Sequence, residues 1–125
     1  MKFSIVIPAY KNNFLSEAIK SVLNQTYLDF ELIIVDDCSP EDLKTVVDQF
    51  NDKRIQYYRN KKNCGAINVV DNWNICLSLC NGEYIICMGD DDLILPNCLE
   101  EYAKLMAKYP GLGVYHAEKE ANFLS

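Results

Sequence analysis

Short apolar runs at residues 3–7, 31–35, 55–59 and 84–88 alternate with segments whose apolar side chains recur at helical spacing, and that alternation leaves few architectures open. Leu15, Ala18, Ile19, Val22 and Leu23 form one helical stripe, and Leu43, Val46, Val47 and Phe50 a second. Val69, Trp73, Cys76, Leu77 and Cys80 form a third, and Leu99, Tyr102, Ala103 and Met106 a fourth. Strand, helix, strand in repetition is the pattern of parallel sheets, whose neighbouring strands need a crossover to return the chain to the same edge. The expected fold is therefore α/β: a mostly parallel sheet flanked by helices on both faces. Continuous apolarity in the first, second and fourth runs predicts central strands covered on both sides. A weaker strand is expected at 113–116.

Local signals set the helix ends. Ser39 is the expected N-cap of the second helix, with Pro40 at its first position and Glu41 and Asp42 in its first turn. Asn81-Gly82 stops the third helix; Pro96 opens the last, and Pro110 lies beyond its end. With 125 residues and no repeat or linker, the chain has the length of one domain.

The strand ends carry the chemistry. The fourth run leads into Gly89-Asp90-Asp91-Asp92, and the second into Asp36-Asp37. Ligands of open α/β sheets bind beyond the carboxyl ends of the strands, so two strands deliver acid to one edge. Three adjacent like charges repel unless a cation or a set of hydrogen-bond donors offsets them. Magnesium or manganese prefers oxygen ligands and takes one or two carboxylates, with water and phosphate oxygens completing the shell. Asp91 or Asp92 would suffice to bridge a metal to a diphosphate; the competing explanation is a solvated acidic turn. The exit of the first strand, Pro8-Ala9-Tyr10-Lys11-Asn12, adds an aromatic face able to stack on a base. The loop 59–65, with Lys61, Lys62, Asn63 and Gly65, is the densest basic group; it either borders a nucleotide or is a solvated charged loop. Trp73 is expected in the core, and His116 is assigned no role.

Composition removes other classes. A net charge of −6 argues against a nucleic-acid partner. Six cysteines with no Cys-x-x-Cys pair and a single histidine argue against zinc, and in an intracellular α/β chain they act as small, reduced core residues. No apolar run approaches the roughly 20 residues of a membrane helix, and no signal-peptide pattern precedes the first strand. A cytoplasmic chain is expected, attached to the inner face of a membrane only through other segments.

Ser4-Ile5-Val6-Ile7-Pro8-Ala9-Tyr10, then Val35-Asp36-Asp37-Cys38-Ser39, then Asn63-x-Gly65, then Gly82-Glu83-Tyr84-Ile85 running into Asp90-Asp91-Asp92, resemble in order and spacing family 2 of the inverting glycosyltransferases with the GT-A Rossmann-like fold. The resemblance covers Lys2 to about Tyr109. It implies a nucleotide-diphospho-sugar site, with a UDP-sugar as the donor of choice: Pro8, Ala9 and Tyr10 around the base, Asp37 on the base or ribose, Asp36 supporting that turn, and Asn63 and Gly65 bordering the nucleotide. It further implies Asp90 on the ribose side, Asp91 as the ligand of Mg2+ or Mn2+, and Asp92 orienting the site or the donor sugar. Four positions depart from the family's commonest pattern: Gly89 replaces its first Asp, Lys11 an Asn, Cys38 a Gly and Trp73 an Arg.

On this resemblance residues 1–110 are the donor-binding half, and 111–125 begin an acceptor-binding half otherwise missing from the chain. The general base that inverting transfer needs would lie C-terminal to Ser125. The chain alone is expected to be inactive, the longer enzyme to act on a glycan or lipid-linked acceptor, and an exposed edge to be available for self-association. Competing classes are a receiver-like phospho-acceptor module, a nucleotidyltransferase, which lacks its Gly-rich loop here, and a non-catalytic nucleotide-binding module.

Overall fold

A computed structural model describes residues 2–61, 69–108 and 123–124. In chain order the elements are β1 (Phe3–Ala9), α1 (Leu15–Leu23), β2 (Phe30–Asp36), α2 (Leu43–Asp48), β3 (Ile55–Arg59), α3 (Val69–Ser78), β4 (Tyr84–Cys87), β5 (Leu93–Ile94), α4 (Cys98–Lys108) and β6 (Phe123–Leu124). Four strands make a parallel sheet in the order β3-β2-β1-β4. A separate antiparallel pair joins β5 to β6.

Alternation along β1 and β2 sends side chains to two cores. Phe3, Ile5 and Ile7, with Leu32 and Ile34, meet Leu15, Ile19 and Val22 of α1, Leu43 and Val47 of α2, and Leu99 and Met106 of α4. Val6, Ile33 and Val35 face the other way, onto Cys76 of α3. Both central strands are thus covered on both faces, as continuous apolarity requires. Buried Gln25, just past α1, ties it to α4: its Nε2 donates to Ser21 O and Leu95 O, and its Oε1 accepts from Leu99 N. That side chain satisfies one of the donors a helix start leaves free.

Three expectations are corrected. Among the described residues β4 is an edge strand paired only with β1, and its burial alternates, leaving Ile85 exposed. The continuous apolarity of β4 therefore does not bring burial of both faces. The second helix begins a turn later than expected: Asp42 is its N-cap, with Oδ1 accepting from Thr45 N at 3.1 Å, while Ser39 Oγ accepts from Glu41 N at 3.0 Å ahead of the helix and donates to Tyr10 O. Leu77 of α3 points outward and is exposed. The strand expected at 113–116 lies outside the described residues.

The strand order also decides between classes. Here β3 lies beside β2, whereas in flavodoxin-like sheets, receivers included, the third strand lies beside the first. The receiver alternative is therefore removed. Among the described residues no helix is long and apolar enough to cross a membrane.

At the amino end of the sheet a buried polar clasp closes the fold. Ser4 Oγ and the Asn81 amide both donate to Glu31 Oε2, and the Gly82 amide donates to Ser4 Oγ at 2.6 Å. A Cβ on Gly82 would stand 2.7 Å from Ser4 N, closer than real carbons approach, so only glycine lets the α3–β4 turn lie against β1.

Candidate functional site

The carboxyl ends of β2, β1 and β4 stand side by side at the opposite edge. Asp36 closes β2 and is fully buried. Its Oδ1 accepts from Ser39 N at 2.9 Å, and its Oδ2 accepts from the Tyr57 hydroxyl and from Arg59 Nη1, the latter at 2.9 Å. With three donors on it, Asp36 braces the turn and is not presented to a ligand. Burial, the bond to Asp36 and the charge of Asp36 together push the Tyr57 phenol up to about 12. Arg59, half exposed, is raised by its hydrogen-bonding to Tyr57 and by the Asp36 charge, and its Nη2 reaches Ser39 O at 3.2 Å.

Asp37 is held just above. Its amide donates to Ala9 O at 2.9 Å, and its Oδ1 accepts from Asn60 Nδ2 at 2.9 Å, while Asn60 N donates to Asp36 O. The next residue, Cys38, has φ of 54°, the left-handed region that favours glycine. A glycine would sit there without strain, and the cysteine tolerates it.

The exit of β1 is suspended between its neighbours. Tyr10 N and Lys11 N both donate to Asp90 Oδ2, each at 2.9 Å. Ser39 Oγ donates to Tyr10 O, and Asn12 N donates to Glu41 Oε2. Tyr10 stays 40% exposed, so a flat ligand could reach it. Pro8 is half-buried, and Ala9 is buried.

The acidic triplet divides its labour. Asp92 Oδ2 accepts from Gly89 N at 2.9 Å and Asp92 N donates to Gly89 O, closing a tight turn. Amide donors therefore offset two of the three charges, on Asp90 and Asp92. Asp91 is exposed and makes no hydrogen bond to another described residue. A Cβ on Gly89 would lie 3.1 Å from Asp91 Oδ1 and 3.2 Å from Asp92 Oδ2, so an acidic side chain there would crowd two carboxylates. Among the described residues no group of three or more His, Cys, Asp or Glu could hold a metal ion. A hard cation here would draw on Asp91, with ligand and water oxygens filling its shell, and the donor chemistry fits magnesium or manganese.

Of the residues singled out from sequence, Pro8, Ala9, Tyr10, Asp36, Asp37, Asp90, Asp91 and Asp92 stand on these three adjoining strand ends; Asn63 and Gly65 lie outside the described residues. Sequence reasoning missed Tyr57, Arg59 and Asn60 as partners of the acidic pair. Their signal was two polar-tipped residues spaced by two at the end of β3, with Arg59 in register with Asp36. All five described cysteines are free; burial pushes the Cys76 thiol up to about 12 and the Cys98 thiol up to about 11, while Cys38 adjoins the site, its Sγ accepting from Arg59 Nη2 at 3.8 Å.

Comparison with known proteins gives one consistent result. The profile of the family described as "Glycosyl transferase family 2" matches residues 4–120. A Campylobacter jejuni GalNAc(5)-diNAcBac-PP-undecaprenol beta-1,3-glucosyltransferase is 38% identical over 101 residues, 78% of this chain and 32% of its own length. S. aureus TarS 1–349 in complex with UDP superposes with a TM-score of 0.79 at 24% identity, over 93% of this chain and 38% of that one. The mannosyltransferase PcManGT of Pyrobaculum calidifontis, in complex with GDP-Man and Mn2+, superposes with a TM-score of 0.76 at 18% identity, over 89% of this chain and 33% of that one. At those identities the likeness establishes the GT-A fold. Across eight curated relatives the chain spans between 15% and 41% of the relative's length.

Proposed function

The chain belongs to glycosyl transferase family 2, and from that membership we propose that it is the nucleotide-diphospho-sugar-binding part of an inverting, metal-dependent glycosyltransferase. The observation that supports this most is the bonding of the β1 exit to both neighbouring strand ends, through Asp90 on one side and Ser39 on the other. That bonding leaves an exposed aromatic ring, Tyr10, and a free carboxylate, Asp91, at one edge.

In this reading Tyr10 carries the base with Pro8 and Ala9 beneath it, and Asp37, steadied by Asn60, accepts from the base or ribose. Asp36 braces the turn, Asp92 orients the acidic loop, and Asn63 and Gly65 border the nucleotide. Asp91 would hold Mg2+ or Mn2+ against the diphosphate; the metal would offset repulsion between anionic ligand and acidic protein and stabilise the departing phosphate. UDP in a TarS complex supports a UDP-sugar donor, and Mn2+ in the PcManGT complex supports the metal. The lipid-diphosphate-linked acceptor named for the C. jejuni relative supports a lipid-linked glycan as acceptor, and hence a cytoplasmic enzyme working at the inner face of a membrane. The β linkage named there is what a single displacement at an α-configured donor carbon gives. The acceptor half would begin at residue 111 and the general base would lie C-terminal to Ser125 in a longer protein, so this chain alone should bind donor without transferring it, and the edge that β4 forms among the described residues is where a second copy would pair.

Calorimetric titration with UDP, with and without manganese, tests the reading. Binding tightened by manganese in the unaltered chain, and not in Asp91→Ala, is expected; binding of no nucleotide under either condition would contradict it.

A further inference from the structure

Residues 10–12 leave β1 with no strand ladder to hold them, yet their backbone is not free. One oxygen, Asp90 Oδ2, takes two consecutive amides, Tyr10 N and Lys11 N, each at 2.9 Å. Ser39 takes the Tyr10 carbonyl, and Glu41 takes Asn12 N. Tyr10 is 40% exposed, and the backbone that carries its ring is held by these bonds. Asp90, half-buried with Oδ2 already shared by two donors, and Asp91, exposed with no such partner, are neighbours in sequence with different surroundings.

We propose that Asp90 is a positioning residue of the nucleotide site: its carboxylate fixes the Tyr10-Lys11 backbone so that the Tyr10 ring is presented as a platform for the base, and it does not ligate the cation. This rests on the nucleotide-sugar reading above. The role needs an oxygen acceptor and not a negative charge, because both donors are neutral amides. An Asn keeps that oxygen; an Ala does not. A charge-bearing group would lose its function in both, and a carboxylate ligand of the cation would be weakened in both.

The test compares the unaltered chain with Asp90→Ala and Asp90→Asn, after circular dichroism has shown each to be folded. Two readouts are taken. Hydrogen exchange by NMR in the absence of nucleotide should show the Tyr10 and Lys11 amides protected in the unaltered chain and in Asp90→Asn, and exchanging faster in Asp90→Ala. UDP titration should show Asp90→Ala weakened roughly tenfold and Asp90→Asn restored to within about threefold of the unaltered chain, as expected when an acceptor is lost and then regained. Because Asp90 does not ligate the cation, the factor by which manganese tightens UDP should be the same in all three proteins. Unchanged amide protection in Asp90→Ala, an Asp90→Asn chain as weak as Asp90→Ala, or a manganese factor that falls with either substitution would each overturn the proposal. If the unaltered chain binds no UDP, the nucleotide reading falls and the positioning role with it; failure of the proposal alone is recognised by an unaltered chain that still binds.

Discussion

Removing the Asp36 carboxylate should damage the protein through its fold more than through its ligand. The side chain is fully buried and receives Ser39 N, the Tyr57 hydroxyl and Arg59 Nη1. Asp36→Ala orphans all three donors; Arg59, half exposed, turns to water, and leaving buried Ser39 N and the half-buried Tyr57 hydroxyl unsatisfied costs about 2–4 kcal/mol. Asp36→Asn keeps an acceptor for Ser39 N and loses the charge opposite Arg59. That guanidinium is 47% exposed, so water takes over much of the lost bond and the cost falls to about 1–2 kcal/mol. Urea unfolding followed by circular dichroism gives both numbers, with an unchanged slope confirming that only stability moved. The phenol supplies a second reading. Tyr57 titrates at about 12 because of burial first and Asp36 second, so its value should fall part of the way toward 10 in Asp36→Asn. A raised phenol pKa stabilises the fold below pH 10, and that contribution is lost as pH climbs from 10 through about 12, so the alkaline loss of stability should be smaller in the variant than in the unaltered chain. An Asp36→Ala chain less than about 1 kcal/mol destabilised would refute the assignment of Asp36 as a brace.

Gly82→Ala should cost about 2–4 kcal/mol, the sum of overpacking against β1 and a weakened Ser4–Glu31 clasp, with Tm as the readout; a change within error would mean the turn can simply move. Glu31 lies on the acid side of the same clasp: burial would raise its pKa, but bonds from Ser4 and Asn81 hold it below the ordinary 4.5. Its contribution is therefore present above that value and lost as pH falls through the lowered one, and acid titration of Glu31→Gln should lose that portion of the pH dependence. Cys38→Gly relieves a left-handed residue at about 1–2 kcal/mol but adds about 0.5–1 kcal/mol of unfolded-state entropy, so its stability should change little. Cys38→Val, branched at Cβ, should be clearly less stable than Cys38→Gly in the same urea series.

Much of this was legible in the sequence because it depends on periodicity. The stripe Leu15, Ala18, Ile19 and Val22 and the continuous apolar β1 and β2 each state their own burial, and the structure buries them all. What depends on contacts between distant segments was not legible. Ser39 and Asp42 both accept a backbone amide near the helix start, and only the structure shows that Asp42 caps it while Ser39 turns the chain before it and holds Tyr10, 29 residues away. Asp36 and Asp37 look alike in sequence; the parallel register that brings Arg59 opposite Asp36 makes one the brace. The same holds for the triplet, where only the amides of Tyr10, Lys11 and Gly89 distinguish Asp90 and Asp92 from Asp91. β5 and β6, two residues each, are too short to carry a period at all.

The central claim is that the ends of β1, β2 and β4 form one site for a divalent ion and a nucleoside diphosphate. Paramagnetic broadening of backbone NMR signals by Mn2+ in the presence of UDP tests it most directly, because the effect falls steeply with distance from the ion. The account predicts strongest loss at Asp91, with Asp90, Asp92, Tyr10 and Asp37 following. Broadening confined to the acidic turn, with Tyr10 and Asp37 unaffected at saturating UDP, would contradict it.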